Sequence, residues 1–306
     1  MAPRTSARGT LFLTIAALCM GALSLGLSAS AADAAPAGKL PRLVFPILGE
    51  ATWTDDFGDA RGQGSHEGND ILAPRRALAL AAEAGHVKFW TTSSRAGCML
   101  YLEGASGTEY LYIHLNNDLT DANDNRGKCV PGVAYADGLQ SGAKVAAGEP
   151  MGFVGDSGDA NGIHPHLHFE VHPNGGAATN PFPHLKRASR LLFAAPRGTT
   201  FTAALTGKVV TAVGEDLQVS VEQVRWWPGG RKLRHPGQKL SVTVPETASV
   251  EGVATAPGGV AYPTIDLLLS GSTVTVWTEP AKVTLAAQAG DRGTLSAARV
   301  VLKRAG

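Results

Sequence analysis

The sequence predicts an all-β protein, and three observations favour that class. Charged residues make up only 17% of the 306 residues, while glycine occurs 37 times, a composition typical of strands joined by many turns. Short apolar runs alternate with Gly, Asp and Asn turns, which predicts antiparallel strands at short spacing. No strong amphipathic helix pattern is present. We expect an antiparallel sheet or sandwich, followed by a smaller β-barrel or sandwich.

The apolar runs divide the chain into two β-rich halves. Strands are expected in order at 79–90, 98–103, 109–115, 151–155 and 166–171, then at 208–213, 217–224, 240–244, 273–278 and 298–303. A short helix or turn is expected at 181–192. The predicted domains are 45–192 and 199–306, joined by a linker at 193–198. Net charge changes from −5 over 32–195 to +4 over 196–306.

The N-terminus is typical of a secretory signal. Arg4 and Arg8 precede an apolar stretch at 10–27, and Ala29-Ser30-Ala31 offers a small-residue cleavage site. An uncleaved membrane anchor is the alternative, although no basic stop-transfer flank follows. We therefore expect a signal peptide at 1–31 and a linker at 32–44. The mature protein would be secreted or otherwise extracytoplasmic, with a net charge of −1 and no stable membrane span.

Two cysteines, Cys98 and Cys129, remain after signal removal. An even number in an exported protein favours a disulfide, worth roughly 3–4 kcal/mol for a loop of about 30 residues. Zinc-binding thiolates are the alternative. The disulfide would pin a polar loop at 116–140 that carries Asp118, Asp121 and Asp124. These aspartates lack the spacing of an EF-hand, so a solvated loop is expected.

Histidines form the most distinctive pattern. Side chains alternate in a strand, so His166 and His168 should face a cleft while Leu167 and Phe169 face a core. Upstream, His66 precedes Asp70 by four residues, and His114 ends a predicted strand. Gly68 argues against a helical H-E-x-x-H zinc site at His66-Glu67. Three such donors around one point, with a fourth position open, suit a catalytic zinc site.

In this order, His66-x-x-x-Asp70, Tyr112-Ile113-His114-Leu115 and His166-Leu167-His168-Phe169-Glu170 resemble the lysostaphin-type (LytM-like) zinc metallopeptidases. The glycine-rich segment at 148–158 is also similar, and the resemblance covers roughly 45–190. It implies a metallopeptidase domain in which His66, Asp70 and His168 bind Zn²⁺. His114 and His166 would be catalytic, one as general base and the other orienting water or stabilising the oxyanion, and either could be the base. Tyr112 either contacts substrate or packs as a core aromatic.

The resemblance implies a secreted zinc endopeptidase that cuts peptide stems or cross-links of bacterial peptidoglycan with a zinc-activated water. Two alternatives are a non-catalytic wall-binding regulator of another hydrolase and an endopeptidase for Gly-rich proteins. The second half is outside the resemblance. There, the segment from Arg225 to His235 combines tryptophans with positive charge. It could bind anionic wall polymers, or it could be a turn flanked by core tryptophans. Nucleic acid would not suit an exported protein.

Overall fold

A computed structural model describes residues 40–62, 64–252 and 264–303. The predicted signal peptide, and the predicted linker up to residue 39, lie outside these ranges. The described residues are nearly all β, with 43% in strands and 7% in helices, which confirms the predicted fold class. In the described ranges, no helix is both long enough and apolar enough to cross a membrane.

Ten strands build the first half. They are β1 (Ala60–Arg61), β2 (Gly64–Ser65), β3 (Asn69–Leu72), β4 (Leu78–Leu80), β5 (Gly85–Trp90), β6 (Cys98–Gly104), β7 (Glu109–Leu115), β8 (Lys144–Val145), β9 (Pro150–Phe153) and β10 (His166–His172). Six of them form an antiparallel sheet in the order β3-β10-β7-β6-β5-β8. The pairs β1-β2 and β4-β9 form two small separate sheets, and the short helix α1 (Phe182–Leu185) follows β10.

One face of the six-stranded sheet forms the core. Leu167 and Phe169 of β10 are fully buried, and the Phe169 ring lies against the rings of Tyr110 and Tyr112 on β7. Burying a side chain of this size stabilises the fold by roughly 2–3 kcal/mol. The predicted alternation along β10 is therefore confirmed, and its histidine face is left for the cleft.

The disulfide between Cys98 and Cys129 is present, and it ties β6 to the loop between β7 and β8. The expectation of a solvated loop is wrong for Asp118. Its carboxylate is fully buried and pairs with Arg75, which also binds Asp156 through two nitrogens. A buried carboxylate needs such a partner, because leaving it unpaired would cost several kcal/mol. The loop is thus fixed at two points, to β6 by the disulfide and to the segment between β3 and β4 by Arg75.

The second half contains the strands β11 (Thr200–Val213), β12 (Asp216–Trp227), β13 (Lys232–Thr243), β14 (Ser249–Glu251), β15 (Thr273–Thr278), β16 (Ala281–Lys282) and β17 (Ala297–Leu302), and the helix α2 (Leu285–Ala289). The sheet order is β13-β12-β11-β15-β17-β14, with β16 paired to β11. Among the strands of this sheet that the structure describes, only β14 and β17 pair in parallel. The second half has a hydrophobic core separate from that of the first, and buried valines such as Val219, Val242 and Val276 belong to it.

A small apolar cluster connects the two halves. Val44, Leu48, Leu80 and Leu191 are buried together, and Leu233 of β13 packs against them. His235 of the same strand is fully buried, and its Nε2 lies 2.9 Å from the carbonyl oxygen of Leu192. The two sheets therefore share apolar and polar contacts around the segment that joins them.

Candidate metal centre and its cleft

Asp70 and His168 meet because β3 and β10 are neighbouring antiparallel strands. They are direct cross-strand partners, as are Leu167 and Ile71 one position further along. Directly opposed residues project their side chains to the same face. Leu167 and Ile71 are fully buried, so Asp70 and His168 project from the opposite face, where the cleft lies.

His66 joins this pair from the turn before β3. Gly68 allows the approach, because a Cβ atom at that position would lie 2.6 Å from the Phe169 carbonyl oxygen and 2.9 Å from Nε2 of His168. The turn contains no helix, as the sequence predicts. The Nε2 atom of His66 lies 2.9 Å from Nδ1 of His168 and 3.1 Å from Oδ1 of Asp70. The third edge of this triangle, from His168 to Asp70, is 3.0 Å.

Hydrogen bonds on the outer sides of the two imidazoles determine their tautomers. Nδ1 of His66 lies 2.8 Å from the Asp56 carbonyl oxygen, and Nε2 of His168 lies 2.9 Å from Oε1 of Glu170. Both oxygens are acceptors, and the Asp56 oxygen is nearer to Nδ1 of His66 than the Arg61 guanidinium nitrogen, which lies 3.1 Å away. These outer nitrogens therefore carry the hydrogens. When the rings are neutral, as metal binding requires, each inner nitrogen is then a lone-pair donor that faces a carboxylate oxygen.

Three lone-pair atoms this close together favour a cation between them. His, Asp and His are oxygen and nitrogen ligands that suit Zn²⁺, and two ligands of a tetrahedral zinc ion are separated by roughly 3.3 Å. The observed edges of 2.9–3.1 Å are close to that spacing. Within the described part of the chain, the group of histidine and acidic side chains close enough to share one metal ion consists of His66, Asp70 and His168. The residues fit a zinc ion.

The electrostatics of the protein alone agree with a site prepared for positive charge. Burial acts to raise the pKa of Asp70, but hydrogen bonds with His168 and His66 outweigh it and hold that pKa well below its usual range. Burial likewise opposes charge on His168, yet Asp70 and Glu170 raise the pKa of His168 to about 9. The pKa of Glu170 is lowered to about 2, because its bonds with His168 and His172 outweigh burial.

His114 and His166 lie beside the triangle, and each ring is held in the same way, through its Nδ1 atom by a backbone carbonyl oxygen. Nδ1 of His114 is 2.9 Å from the Ser157 carbonyl oxygen, and Nδ1 of His166 is 3.0 Å from that of His164. Each Nδ1 therefore donates to a backbone oxygen, which leaves each Nε2 as a proton acceptor. The two rings are 5.1 Å apart, and Nε2 of His166 lies 3.8 Å from Oδ1 of Asp70.

Burial keeps His114 neutral. Desolvation, with the neighbouring His166, lowers the pKa of His114 to about 4. A neutral imidazole can accept a proton, whereas an imidazolium cannot. The protein therefore holds His114 in the protonation state that a general base requires.

The prediction that Tyr112 contacts substrate is wrong. Its side chain is fully buried, and its hydroxyl donates to the Leu80 carbonyl oxygen at 2.9 Å and accepts from the Ala82 N–H at 2.8 Å. Regular alternation would put Tyr112 and His114 on one face. His114 instead has a φ of 61°, in the left-handed region that non-glycine residues rarely adopt. This backbone turn directs His114 to the cleft and leaves Tyr112 in the core.

The cleft above the triangle has a volume of about 600 Å³, and a second groove of about 390 Å³ continues from it past Asp70 and His166. Arg61, Arg95 and Asp159 line the main cleft, together with all five site residues. His164 is exposed and lines the second groove. A chain of several residues could lie across the triangle.

Sequence reasoning missed three contributors. Glu170 lies two residues after His168, so strand alternation alone could have placed it beside that ligand. Ser157 orients His114 through its carbonyl, while its hydroxyl binds the ends of β6 and β7. Arg61, on the β1-β2 hairpin, contacts Oδ2 of Asp70 at 2.9 Å. No local sequence signal indicates either of the last two roles.

Comparison with known proteins places these features in context. No protein-family model matches the chain. It is 27% identical to the L-Ala--D-Glu endopeptidase of Bacillus subtilis (strain 168) over 157 residues, which are 48% of this chain and 43% of that protein. It is 30% identical to the DD-carboxypeptidase/endopeptidase Mpg of Neisseria meningitidis serogroup B over 158 residues, which are 49% of this chain and 32% of that protein. The chain thus spans less than half the length of either relative.

Among solved structures, the catalytic domain of lysostaphin from Staphylococcus simulans aligns with 23% sequence identity and a TM-score of 0.35, covering 44% of this chain and 92% of that one. The curated relatives are named as peptidases, and their matches extend over about half of this chain. The resemblance to lysostaphin-type (LytM-like) peptidases, predicted from the three histidine motifs, is therefore confirmed.

Proposed function

We propose that this protein is a zinc-dependent endopeptidase that hydrolyses peptide stems or cross-links of bacterial peptidoglycan. One observation carries the proposal. Three lone-pair atoms of His66, Asp70 and His168 converge within 3.1 Å, and the proton-accepting nitrogens of His114 and His166 lie beside them. Two relatives, an L-Ala--D-Glu endopeptidase and a DD-carboxypeptidase/endopeptidase, support the substrate class.

The metal and its ligands have distinct tasks. His66, Asp70 and His168 would hold Zn²⁺, with Asp56 and Glu170 fixing the two imidazoles from outside. Zinc at such a site acts as a Lewis acid that polarises a carbonyl group and lowers the pKa of water towards about 7. Both outer hydrogen bonds hold the rings with their inner nitrogens directed at the metal position, so the geometry is organised before the metal arrives.

His114 and His166 would carry out proton transfer and orient the reacting groups. One Nε2 atom accepts the proton of the attacking water and later delivers it to the leaving amine, while the other orients the water or stabilises the oxyanion. Each ring is held by its Nδ1–H on a backbone carbonyl, so neither needs to reorient during the reaction. The burial that keeps His114 neutral favours it as the base.

Features outside the site support an extracytoplasmic location for this protein. A disulfide persists in oxidising compartments, which agrees with the proposed export through a signal peptide at 1–31. We assign residues 45–192 to the metallopeptidase part and 199–306 to an accessory part that contacts anionic wall polymers. The +4 charge of residues 196–306 favours such a partner.

The decisive experiment combines metal content with chemistry. Purified full-length protein should contain one zinc per chain and release new amino groups from purified peptidoglycan. Chelation should abolish the release and added Zn²⁺ should restore it, while His168→Ala should lack both zinc and activity. Full activity in His168→Ala would refute the proposal. Mass spectrometry of the released muropeptides would identify the cleaved bond.

The same assay separates the two alternatives. A regulator of another hydrolase would bind walls without releasing amino groups. An endopeptidase for Gly-rich proteins would cleave oligoglycine peptides faster than wall fragments.

A further inference from the structure

A row of charged and aromatic side chains crosses the second sheet. Lys232 lies opposite Arg225, Arg225 opposite Ala204, Ala204 opposite Trp277, and Trp277 opposite Arg299. Directly opposed residues share a face, so these side chains project to the same side of β13, β12, β11, β15 and β17. With about 4.8 Å between neighbouring strands, the row is roughly 19 Å long.

Two stacked tryptophans form the centre of this face. Trp227 follows Arg225 by two residues and therefore projects to the same side. Its ring stacks on that of Trp277, with centroids 5.4 Å apart and planes tilted by 22°. The guanidinium carbon of Arg225 lies 5.1 Å from the centroid of Trp227, and 38% of Trp277 remains exposed.

The neighbouring Trp226 has a different role. It stacks on the buried ring of Phe193, with centroids 5.0 Å apart, and packs against the core of the second half. Of the two sequence interpretations for this segment, core packing holds for Trp226. Trp227 and Trp277 are on the outer face, where Trp227 is half-buried and Trp277 is exposed.

The row is also positively charged. Neither Arg225 nor Lys232 has an acidic partner among residues of the described ranges, whereas Arg299 is paired with Glu251. Ala204, at the middle of the row, is buried, so the exposed part of the row consists of the side chains on either side of it. The result is an aromatic platform with cations at one end.

We propose that this face binds an anionic polysaccharide. The apolar face of a sugar ring would pack on the exposed indole of Trp277, and acidic groups along the polymer would pair with Arg225 and Lys232. A row of about 19 Å accommodates several sugar units. The choice of a wall polymer as the natural partner rests on the proposed function, but binding itself requires no catalysis.

Binding of polygalacturonate, an acidic polysaccharide, to the full-length protein tests this proposal. Tryptophan fluorescence and isothermal calorimetry should report binding that weakens as salt is raised. Trp277→Ala and the double variant Arg225→Ala/Lys232→Ala should each weaken binding about tenfold or more, and Trp277→Tyr should retain most of it. Trp90→Ala is the matched control, because Trp90 is 40% exposed on a strand of the first half and should leave binding unchanged.

Several outcomes would overturn the proposal. These are unchanged binding in Trp277→Ala, equal loss in Trp90→Ala, equal affinity for neutral dextran, and tighter binding of single-stranded DNA than of polygalacturonate. Cleavage of soluble muropeptides should be unchanged in Trp277→Ala. If the wild-type protein binds polygalacturonate through this face but cuts no muropeptide, the binding proposal is supported and the proposed peptidase function is refuted.

Discussion

Arg61 Nη2 lies 2.9 Å from Oδ2 of Asp70 and 3.1 Å from Nδ1 of His66, the outer nitrogen of that proposed ligand. The other oxygen, Oδ1, contacts His66 and His168. Arg61 therefore leaves one oxygen of Asp70 for the metal. It is 40% exposed at its side chain, so its contribution to folding should be small.

Replacing Arg61 should weaken zinc binding without unfolding the protein. Loss of an outer contact to a metal ligand commonly lowers metal affinity about 10- to 100-fold, and we expect about tenfold for Arg61→Ala. Competition with a chromogenic chelator would measure the affinity. Arg95→Ala is the matched control, since Arg95 lines the same cleft and pairs with Asp159 rather than a ligand. Equal affinities in wild type and Arg61→Ala would contradict the assignment.

His114→Ala and His166→Ala should separate chemistry from metal binding. Neither residue belongs to the ligand triangle, so both variants should retain zinc. Removing a general acid–base group lowers the rate by about 10²–10⁴-fold. Release of amino groups from peptidoglycan and zinc content per chain are the two measurements. His164→Ala, at the exposed rim, should keep near wild-type activity. Loss of zinc from His114→Ala would show that its role is structural.

Tyr112→Phe should affect stability rather than substrate binding. The variant removes the hydroxyl that serves the Leu80 carbonyl and the Ala82 N–H, and unsatisfied buried groups of this kind cost roughly 2–4 kcal/mol together. Urea unfolding should detect this loss, while KM at low temperature stays unchanged. In Tyr101→Phe, the control, the lost hydroxyl has no hydrogen bond within the described ranges. A raised KM with unchanged stability would restore Tyr112 as a substrate contact.

The disulfide should stabilise the cleft wall. Cys98 and Cys129 are 31 residues apart in sequence, and closing a loop of that length in the unfolded chain is worth about 3–4 kcal/mol. The double variant Cys98→Ala/Cys129→Ala should lose about this much free energy of unfolding. Wild type under a thiol reductant provides an independent comparison. A loss below about 1 kcal/mol would mean that Arg75 and its carboxylate partners fix the loop without the disulfide.

His235 should make the protein sensitive to acid. Burial, helped by Arg190, outweighs the contacts with Leu192 and Gln238 and lowers the pKa of His235 from 6.5 to about 4. Between these two pH values the unfolded chain binds a proton that the folded protein does not. Stability is therefore full above pH 6.5 and declines as the pH falls towards 4, by about 3 kcal/mol in total.

Unfolding by urea at pH 7 and pH 5 would measure this effect. His235→Gln can still donate to the Leu192 carbonyl but does not titrate, so its stability should fall less between the two pH values than that of wild type. His86→Gln, an exposed histidine on β5, should behave as wild type. An identical pH dependence in His235→Gln would exclude His235 as the acid-sensitive group.

The sequence by itself predicted the fold class, which the structure confirms, and the five polar residues that the structure brings together in the candidate site. Alternation in a strand has a period of two residues. The local sequence therefore suffices to predict that His166 and His168 lie on the opposite face from Leu167 and Phe169. The spacing of the three motifs then supplied the other ligands through a family resemblance. Even the disulfide followed from counting cysteines in a chain with a signal-like N-terminus.

Only the tertiary structure decided what depends on register and on backbone turns. The left-handed φ of His114 reversed the expected placement of Tyr112, and no strand pattern encodes such a turn. Arg61 reaches Asp70 from a hairpin, and Trp277 meets Trp227 across an intervening strand. Neither contact can be inferred from its local segments, because pairing between strands is set by the packing of the whole sheet.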